Sequence, residues 1–165
     1  MAESAIDGRE FRSTLGQFCS GVVIVTGALD GQPAGFAAQS FTSLSLEPPL
    51  VALCPAKTST SWPRVRQSGH FCINILAEDQ KLVCDLFART GIDKFGTLKW
   101  HKGARGSPVL DGILAYIDCE LEAEYEAGDH TIVIGRVVDL AILDRARGPL
   151  LFFRGGYGNF QRLES

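Results

Sequence analysis

Several signatures that would fix a chemistry at once are missing from this chain. No GxGxxG joins a strand to a helix, so a Rossmann site is not indicated; "RGGYG" at 154–158 lacks the spacing. No Walker loop and no GxSxG elbow occur, which sets aside P-loop and serine-hydrolase chemistry. His70, His101 and His130 are far apart and lack metal-ligand spacing, so no metal site is expected. No uninterrupted apolar run approaches about 18 residues, and "MAESAIDGREF" at the start carries charges but no apolar h-region. Neither a membrane span nor a standard export signal is expected. Positive charge is in short supply too. The net charge is −3 and the pI about 5.6, so no nucleic-acid surface is expected. Cysteine is odd in number, at five, without CxxC pairing. Four of the five lie in apolar runs, where a thiol packs as a small hydrophobe. They read as reduced and structural, which suggests the cytoplasm.

What is present fits one domain spanning 1–165, with its core at about 8–160. With 45% apolar and 21% charged residues, the 165-residue chain can bury a core without staples. Residues 7–19 read as a helix with Phe11, Leu15 and Phe18 on one face, Asp7 as cap and Glu10 three residues on. "GVVIVTGAL" reads as a strand, Asp30-Gly31 as a hairpin turn, and "PAGFAAQSF" as the return strand. "LEPPL" marks a loop before the short buried strand "LVALCPA". A short helix is expected over "STSWPRVRQS", with Ser59 or Ser61 near its start and Pro63 in its first turn. "HFCINIL" follows as a strand. "AEDQKLVCDLFART" is amphipathic, with Leu82, Leu86 and Phe87 on a shared face. Residues 91–112 read as a long loop, a feature usually tied to function or an interface.

The clearest alternation is "ILAYIDCELEAEYE". Ile113 to Tyr125 supply an apolar face, and Asp118, Glu120, Glu122, Glu124 and Glu126 a wet one. That acidic stripe reads as solvated surface, not as paired catalytic carboxylates. Residues 131–143 do not alternate, which predicts a strand covered on both faces. A short strand and a glycine turn close the chain. Six or so antiparallel strands with two or three helices point to a small closed or split β-barrel.

Two polar groupings stand out. Gln39, Ser40, Thr42, Ser43 and Ser45 crowd one strand end, and Lys57, Thr58, Ser59, Thr60 and Ser61 precede a helix. Hydroxyls, a lysine and helix-terminal N–H groups together could cradle a phosphate. The same residues serve as caps and ST-turns, and composition leaves both readings standing. His130 opens a strand directly after Gly128-Asp129. It reads either as an exposed turn residue or as a binding residue held on a rigid frame.

Taken in order, "GVVIVT" (21–26), "GFAAQSFTSLSLEPPLVALC" (35–54), "SGHFCINIL" (68–76), "FARTGIDKF" (87–95), "SPVLDGILAYIDCEL" (107–121), "AGDHTIVIGRV" (127–137) and "FFRGGYG" (152–158) resemble the short-chain flavin reductase family, the reductase components of two-component flavin-dependent monooxygenases. The resemblance covers roughly residues 8–160. It implies a mainly β, split antiparallel β-barrel with Greek-key topology, of the FMN-binding type, working as a homodimer. It implies reduction of FMN or FAD by NADH or NADPH, the reduced flavin leaving for a separate monooxygenase. By the same resemblance Gln39, Ser40, Phe41 and Thr42 line the flavin ring and ribityl chain. Cys54, Lys57, Ser59 and Ser61 reach the ribityl and phosphate, with Asn74 nearby. His130 faces the nicotinamide, positioned by Gly128 and Asp129. Arg154 and Tyr157 close the pocket from the C-terminal turn. Hydride transfer is chemistry the two nucleotides own, which accounts for the lack of a nucleophile or acid–base pair. The alternative is a flavin-binding electron carrier without nicotinamide turnover of its own.

Overall fold

The computed structural model describes residues 6–164. Residues 1–5 of the N-terminal stretch read above, and Ser165 at the end of the expected domain, lie outside them. Seven antiparallel strands form the main sheet, in the order β3-β2-β6-β9-β10-β5-β4. They are β2 (Val23–Leu29), β3 (Gln32–Ala38), β4 (Thr42–Leu46), β5 (Pro49–Leu53), β6 (His70–Ile75), β9 (Ala115–Ala127) and β10 (His130–Ile142). A three-stranded sheet joins β1 (Ser20–Gly21), β11 (Leu151–Phe153) and β12 (Gly156–Gly158). A two-stranded one pairs β7 (Trp100–Lys102) with β8 (Pro108–Leu110). Three helices, α1 (Gly8–Leu15), α2 (Trp62–Ser68) and α3 (Lys81–Phe87), complete the described elements. The fold is mostly β with few helices, as the sequence implied.

The central strands are buried on both sides, and alternate residues feed two cores. Ile24 and Cys72 pack with Leu76, Phe87, Val109 and Leu150 on one face. Val23, Val25, Phe71 and Ile73 pack with Leu53, Trp62 and Val133 on the other. Asp30 and Gly31 take φ 50° and 76°, as a primed hairpin turn requires, and set the β2–β3 register. Asp7 caps α1 by accepting from the Arg9 N–H at 2.9 Å.

Several expectations need correction. The 7–19 helix is shorter, and its apolar face is uncovered in this chain: α1 buries no side chain, and Phe18 is 82% exposed. The 46–50 segment is mostly strand, with only Glu47-Pro48 left as a tight turn between β4 and β5, because residues 42–46 pair back onto 49–52. In α3 the inward residues are Cys84 and Phe87, whereas Leu82 is 80% exposed. The long 91–112 loop folds back on itself through β7 and β8. Strand β10 is not covered on both faces: Val138, Leu140 and Ile142 are exposed. Bulges shift its register between Ile134 and Gly135 and between Val137 and Asp139, and so break the alternation.

The acidic stripe is also not a plain solvated face. Each glutamate is matched to a cation from another element. Arg105 pairs with Glu120, Arg136 with Glu122, Arg66 with Glu124, and Lys57 with Glu126. Asp118 is fully buried under the β7–β8 hairpin. Its Oδ2 accepts from the Arg105 N–H at 3.1 Å, and its Oδ1 has no partner among the described residues.

Burial raises the Asp118 carboxyl above the usual carboxylate range. The neighbouring Asp139 adds to this; the Arg105 N–H and His70 work against it. A raised carboxyl binds its proton more tightly when folded. Its stabilisation is therefore present below the unfolded pKa and is lost as pH rises through the folded one. Asp118→Asn keeps the acceptor and removes the titration. Urea titrations at pH 4, 6 and 8 should show wild type losing ground to this variant as pH rises; the opposite trend would mean that the ionised carboxylate stabilises the fold.

Candidate active site

A cleft of about 520 Å³ opens where the end of β3, the 54–61 loop, the C-terminus of α3 and the start of β10 meet. The chain can approach this closely because Gly35 has no side chain. A Cβ there would lie 2.8 Å from the Val25 carbonyl and 2.9 Å from Phe87 Cε1. Phe36 lies on the cleft wall, its ring edge-on to Trp62 at 6.3 Å. Trp62 is held in turn by its Nε1–H donating to Glu124 at 3.1 Å.

The 54–61 loop is fastened along its first half. Ser40 Oγ accepts from the Cys54 N–H at 2.9 Å, joining the ends of β3 and β5. Near the hairpin turn, Thr131 N–H donates to the Pro55 carbonyl at 3.0 Å and Lys57 N–H to the Asp129 carbonyl at 2.9 Å. Ala56 and His130 form a bridge between them. Gly128 takes φ 64° at the first position of the two-residue β9–β10 turn, a conformation suited to glycine. His130 is thereby fixed beside the loop while its side chain stays 45% exposed.

The His130 Nδ1 lies 2.7 Å from Asp129 Oδ1. That contact holds the Asp129 carboxyl below its usual range, so at neutral pH Asp129 only accepts. The proton of a neutral His130 therefore sits on Nδ1, leaving Nε2 as an acceptor. Tyr157 closes another part of the wall. Its hydroxyl is 3.3 Å from Cys84 Sγ and its ring edge-on to Phe152 at 5.2 Å. The Cys84 contact and burial push its pKa up to about 12, so it is a neutral phenol at physiological pH.

Of the residues singled out in the sequence, Gln39, Ser40, Cys54, Ser59, Ser61, His130 and Tyr157 line this one cleft. Phe41 and Thr42 line an adjoining apolar groove that shares Val22, Gln39 and Ser40 with it. Gly128 and Asp129 stand behind His130, not on the wall. Lys57 faces the far side of its loop, paired with Glu126. Arg154 lies outside the cleft. Its guanidinium donates to Gln17 at 2.8 Å, and it sits at φ 50° in the β11–β12 turn. Asn74 is a correction. It is fully buried, donating to the Ile24 carbonyl and Thr26 Oγ1 and accepting from the Leu110 N–H at 2.8 Å. The helix-terminal N–H contribution is reduced as well, because the Trp62 N–H is already taken by Ser59 Oγ at 3.1 Å.

Sequence reasoning missed Arg89, Thr90 and Lys94. They stand in "FARTGIDKF", a basic and hydroxyl-bearing stretch after an amphipathic helix, and that was the available signal. Arg89 is exposed in the cleft, with no acidic partner among the described residues. Lys94 is buried and donates to the Gly35 and Phe87 carbonyls, both at 3.0 Å, again without a carboxylate. Burial holds its ammonium below the usual lysine range. Two uncompensated cations beside the hydroxyls of Thr58, Thr60 and Ser61 suit an elongated ligand with an anionic end.

A family model for the flavin reductase like domain matches residues 15–161. The chain is 52% identical over 157 residues to the reductase subunit HsaB of a flavin-dependent monooxygenase from Rhodococcus jostii, covering 95% of this chain and 80% of that protein. It is 40% identical over 156 residues to the FMN reductase (NADH) SmoA of Agrobacterium fabrum, covering 94% and 88%. The solved structure of the NADH:FAD oxidoreductase SgcE6 of Streptomyces globisporus C-1027, in complex with NAD and FAD fragments, superposes with a TM-score of 0.88 at 35% identity, covering 94% and 93%.

The buried position of Asn74 makes it a fastener of the hairpin. Asn74→Ala strands the Leu110 N–H and leaves the Ile24 carbonyl and Thr26 without their donor. It should lower unfolding stability by about 3 kcal/mol, read from the urea midpoint. An unchanged midpoint would place Asn74 outside the fold's polar core.

Proposed function

The chain belongs to the flavin reductase like domain family, and on that premise we propose that it reduces FMN or FAD with NADH or NADPH and releases the reduced flavin to a separate monooxygenase. It is an oxidoreductase, a flavin reductase of the kind that forms one component of a two-component monooxygenase. The observation that carries the reading is the cleft, in which hydroxyls and uncompensated cations converge with His130 on one apolar-walled surface. The donor set fits a flavin phosphate: Arg89 and Lys94 lack acidic partners, and Thr58, Thr60 and Ser61 make no side-chain hydrogen bond among the described residues.

Hydride transfer from nicotinamide to flavin is chemistry those groups supply when bound. The chain's part is to hold them. Ser59 and Ser61, with Arg89 and Thr90, bind the phosphate and ribityl end. Gln39, Ser40 and Cys54 border the ring, with Phe41 and Thr42 reaching in from the adjoining groove. Lys57 acts through its ion pair, keeping the loop in place. Phe36 and Phe87 exclude water. His130, its Nδ1 proton fixed by Asp129, presents Nε2 as an acceptor that orients the nicotinamide carboxamide and moves no obligatory proton. Gly128 sets the turn that aims it. Tyr157 covers the cleft from the C-terminal hairpin, and Arg154 steadies that hairpin against Gln17.

The same reading includes a homodimer. The exposed Val138, Leu140 and Ile142 on β10, together with Leu44 and Leu46 on β4, form apolar surface of the kind that meets another chain. A cytoplasmic setting is supported by five free thiols. No helix of the described residues is long and apolar enough to cross a membrane.

Steady-state NADH oxidation across FMN, FAD and riboflavin tests the activity; flavin binding without turnover would make the protein a carrier. His130→Ala should raise the KM for NADH or slow flavin reduction by about ten- to a hundredfold, roughly 1.4 to 2.7 kcal/mol. Unaltered kinetics would remove His130 from the site. Size-exclusion chromatography should give a dimer, and Leu140→Glu should shift it toward monomer.

A further inference from the structure

We propose that Glu124 is a positioning residue for the flavin side of the reaction, acting through Trp62 on the cleft wall without touching either nucleotide. The inference rests on the flavin reading above. Glu124 does not line the cleft. It stands on β9, paired with Val133 of β10, so the long hairpin fixes its backbone. Its carboxylate works at two points. Oε1 accepts from the Trp62 indole N–H at 3.1 Å, and Oε2 pairs with the Arg66 guanidinium. The two contacts are unequal. The Arg66 side chain is 60% exposed, and an exposed ion pair contributes little. Trp62 is buried, and a buried N–H is costly to leave without an acceptor. Among the described residues, its acceptor is Glu124.

Trp62 reaches the cleft by two routes. Its ring stands edge-on to Phe36 at 6.3 Å, and Phe36 is part of the cleft wall. Its backbone N–H donates to Ser59 Oγ at 3.1 Å. A hydroxyl oxygen that accepts there keeps its own proton free to donate, and Ser59 borders the cleft. Holding the indole therefore sets one apolar wall and one hydroxyl donor together. On its inner side the ring meets Phe71 in the core, edge-on at 5.9 Å. Without Glu124 the indole N–H regains a partner only by turning toward water, which shifts Phe36 and the Ser59 contact with it. His130 is anchored separately. The Thr131 N–H donates to the Pro55 carbonyl and the Lys57 N–H to the Asp129 carbonyl, and neither bond passes through Glu124. The flavin wall and the nicotinamide contact thus have independent supports, and Glu124 belongs to the first.

The test is steady-state NADH oxidation by the full-length protein, with FMN or FAD varied at saturating NADH and NADH varied at saturating flavin. Glu124→Leu removes the acceptor at similar size. It should raise the flavin KM about five- to tenfold and leave the KM for NADH unchanged. Glu124→Gln keeps an oxygen for the indole and should stay within about twofold of wild type. Trp62→Phe removes the N–H and should itself raise the flavin KM selectively. In that background Glu124→Leu should have no further effect, a non-additivity that general destabilisation does not produce. Equal rises in both KM values, an unchanged flavin KM, additive effects in the double variant, or Glu124→Gln as damaging as Glu124→Leu would each overturn the assignment while leaving the flavin reading intact. If Glu124→Leu does not fold, Trp62→Phe decides, and an unchanged flavin KM there overturns the proposal. A wild type that oxidises NADH with neither flavin would overturn the flavin reading itself.

Discussion

The long β9–β10 hairpin is the constraint on which the site depends. Two thirteen-residue strands run antiparallel to a two-residue turn. Everything that borders the cleft from that side is tied to them. The 54–61 loop is pinned by backbone hydrogen bonds to the turn, and α2 by Glu124 through Trp62 and Arg66. His130 gains its fixed position from the same pairing. A surface loop bearing five consecutive residues of Lys, Ser and Thr would otherwise pay a large ordering entropy on binding. The hairpin settles that cost during folding.

The acidic stripe on β9 shows how one pattern can carry two meanings. Taken alone, alternating carboxylates are a wet sheet face. In the fold they form a rail, each gripping a cation from a different element. Exposed pairs of this kind add little stability individually. Their consequence is positional, because Lys57 and Arg66 sit on the segments that shape the cleft. With those cations neutralised, the positive charge left over near the site belongs to Arg89 and Lys94, where an anion can use it.

Much of the architecture was legible because it rests on local rules. β-branched runs, the Asp30-Gly31 turn and the 113–126 alternation gave the central strands and two of their turns. The Gly128-Asp129-His130 sequence gave the turn that carries the histidine. Several of the misreadings share one cause: they concern which face of an element the rest of the chain covers. Leu82 and Cys84 are both apolar residues on α3, and only packing against Phe87 and β3 selects Cys84. Asp118 belongs by period to a wet face, yet the β7–β8 hairpin folds over it. Bulges in β10 cancel an alternation that a straight strand would have shown. Asn74 belonged by resemblance to the site, but the same hairpin spends its amide on Leu110, Ile24 and Thr26.

By itself, the sequence determined the β-rich class, the run of hydroxyls that comes to border the cleft and the presence of His130 at a tight turn. Those depend on backbone propensity and on residue type at neighbouring positions. Tertiary structure alone decided which cations remain uncompensated and that Arg89, Thr90 and Lys94 join the cleft. Charge balance and cavity shape are sums over segments far apart in the chain, and no local pattern encodes those sums.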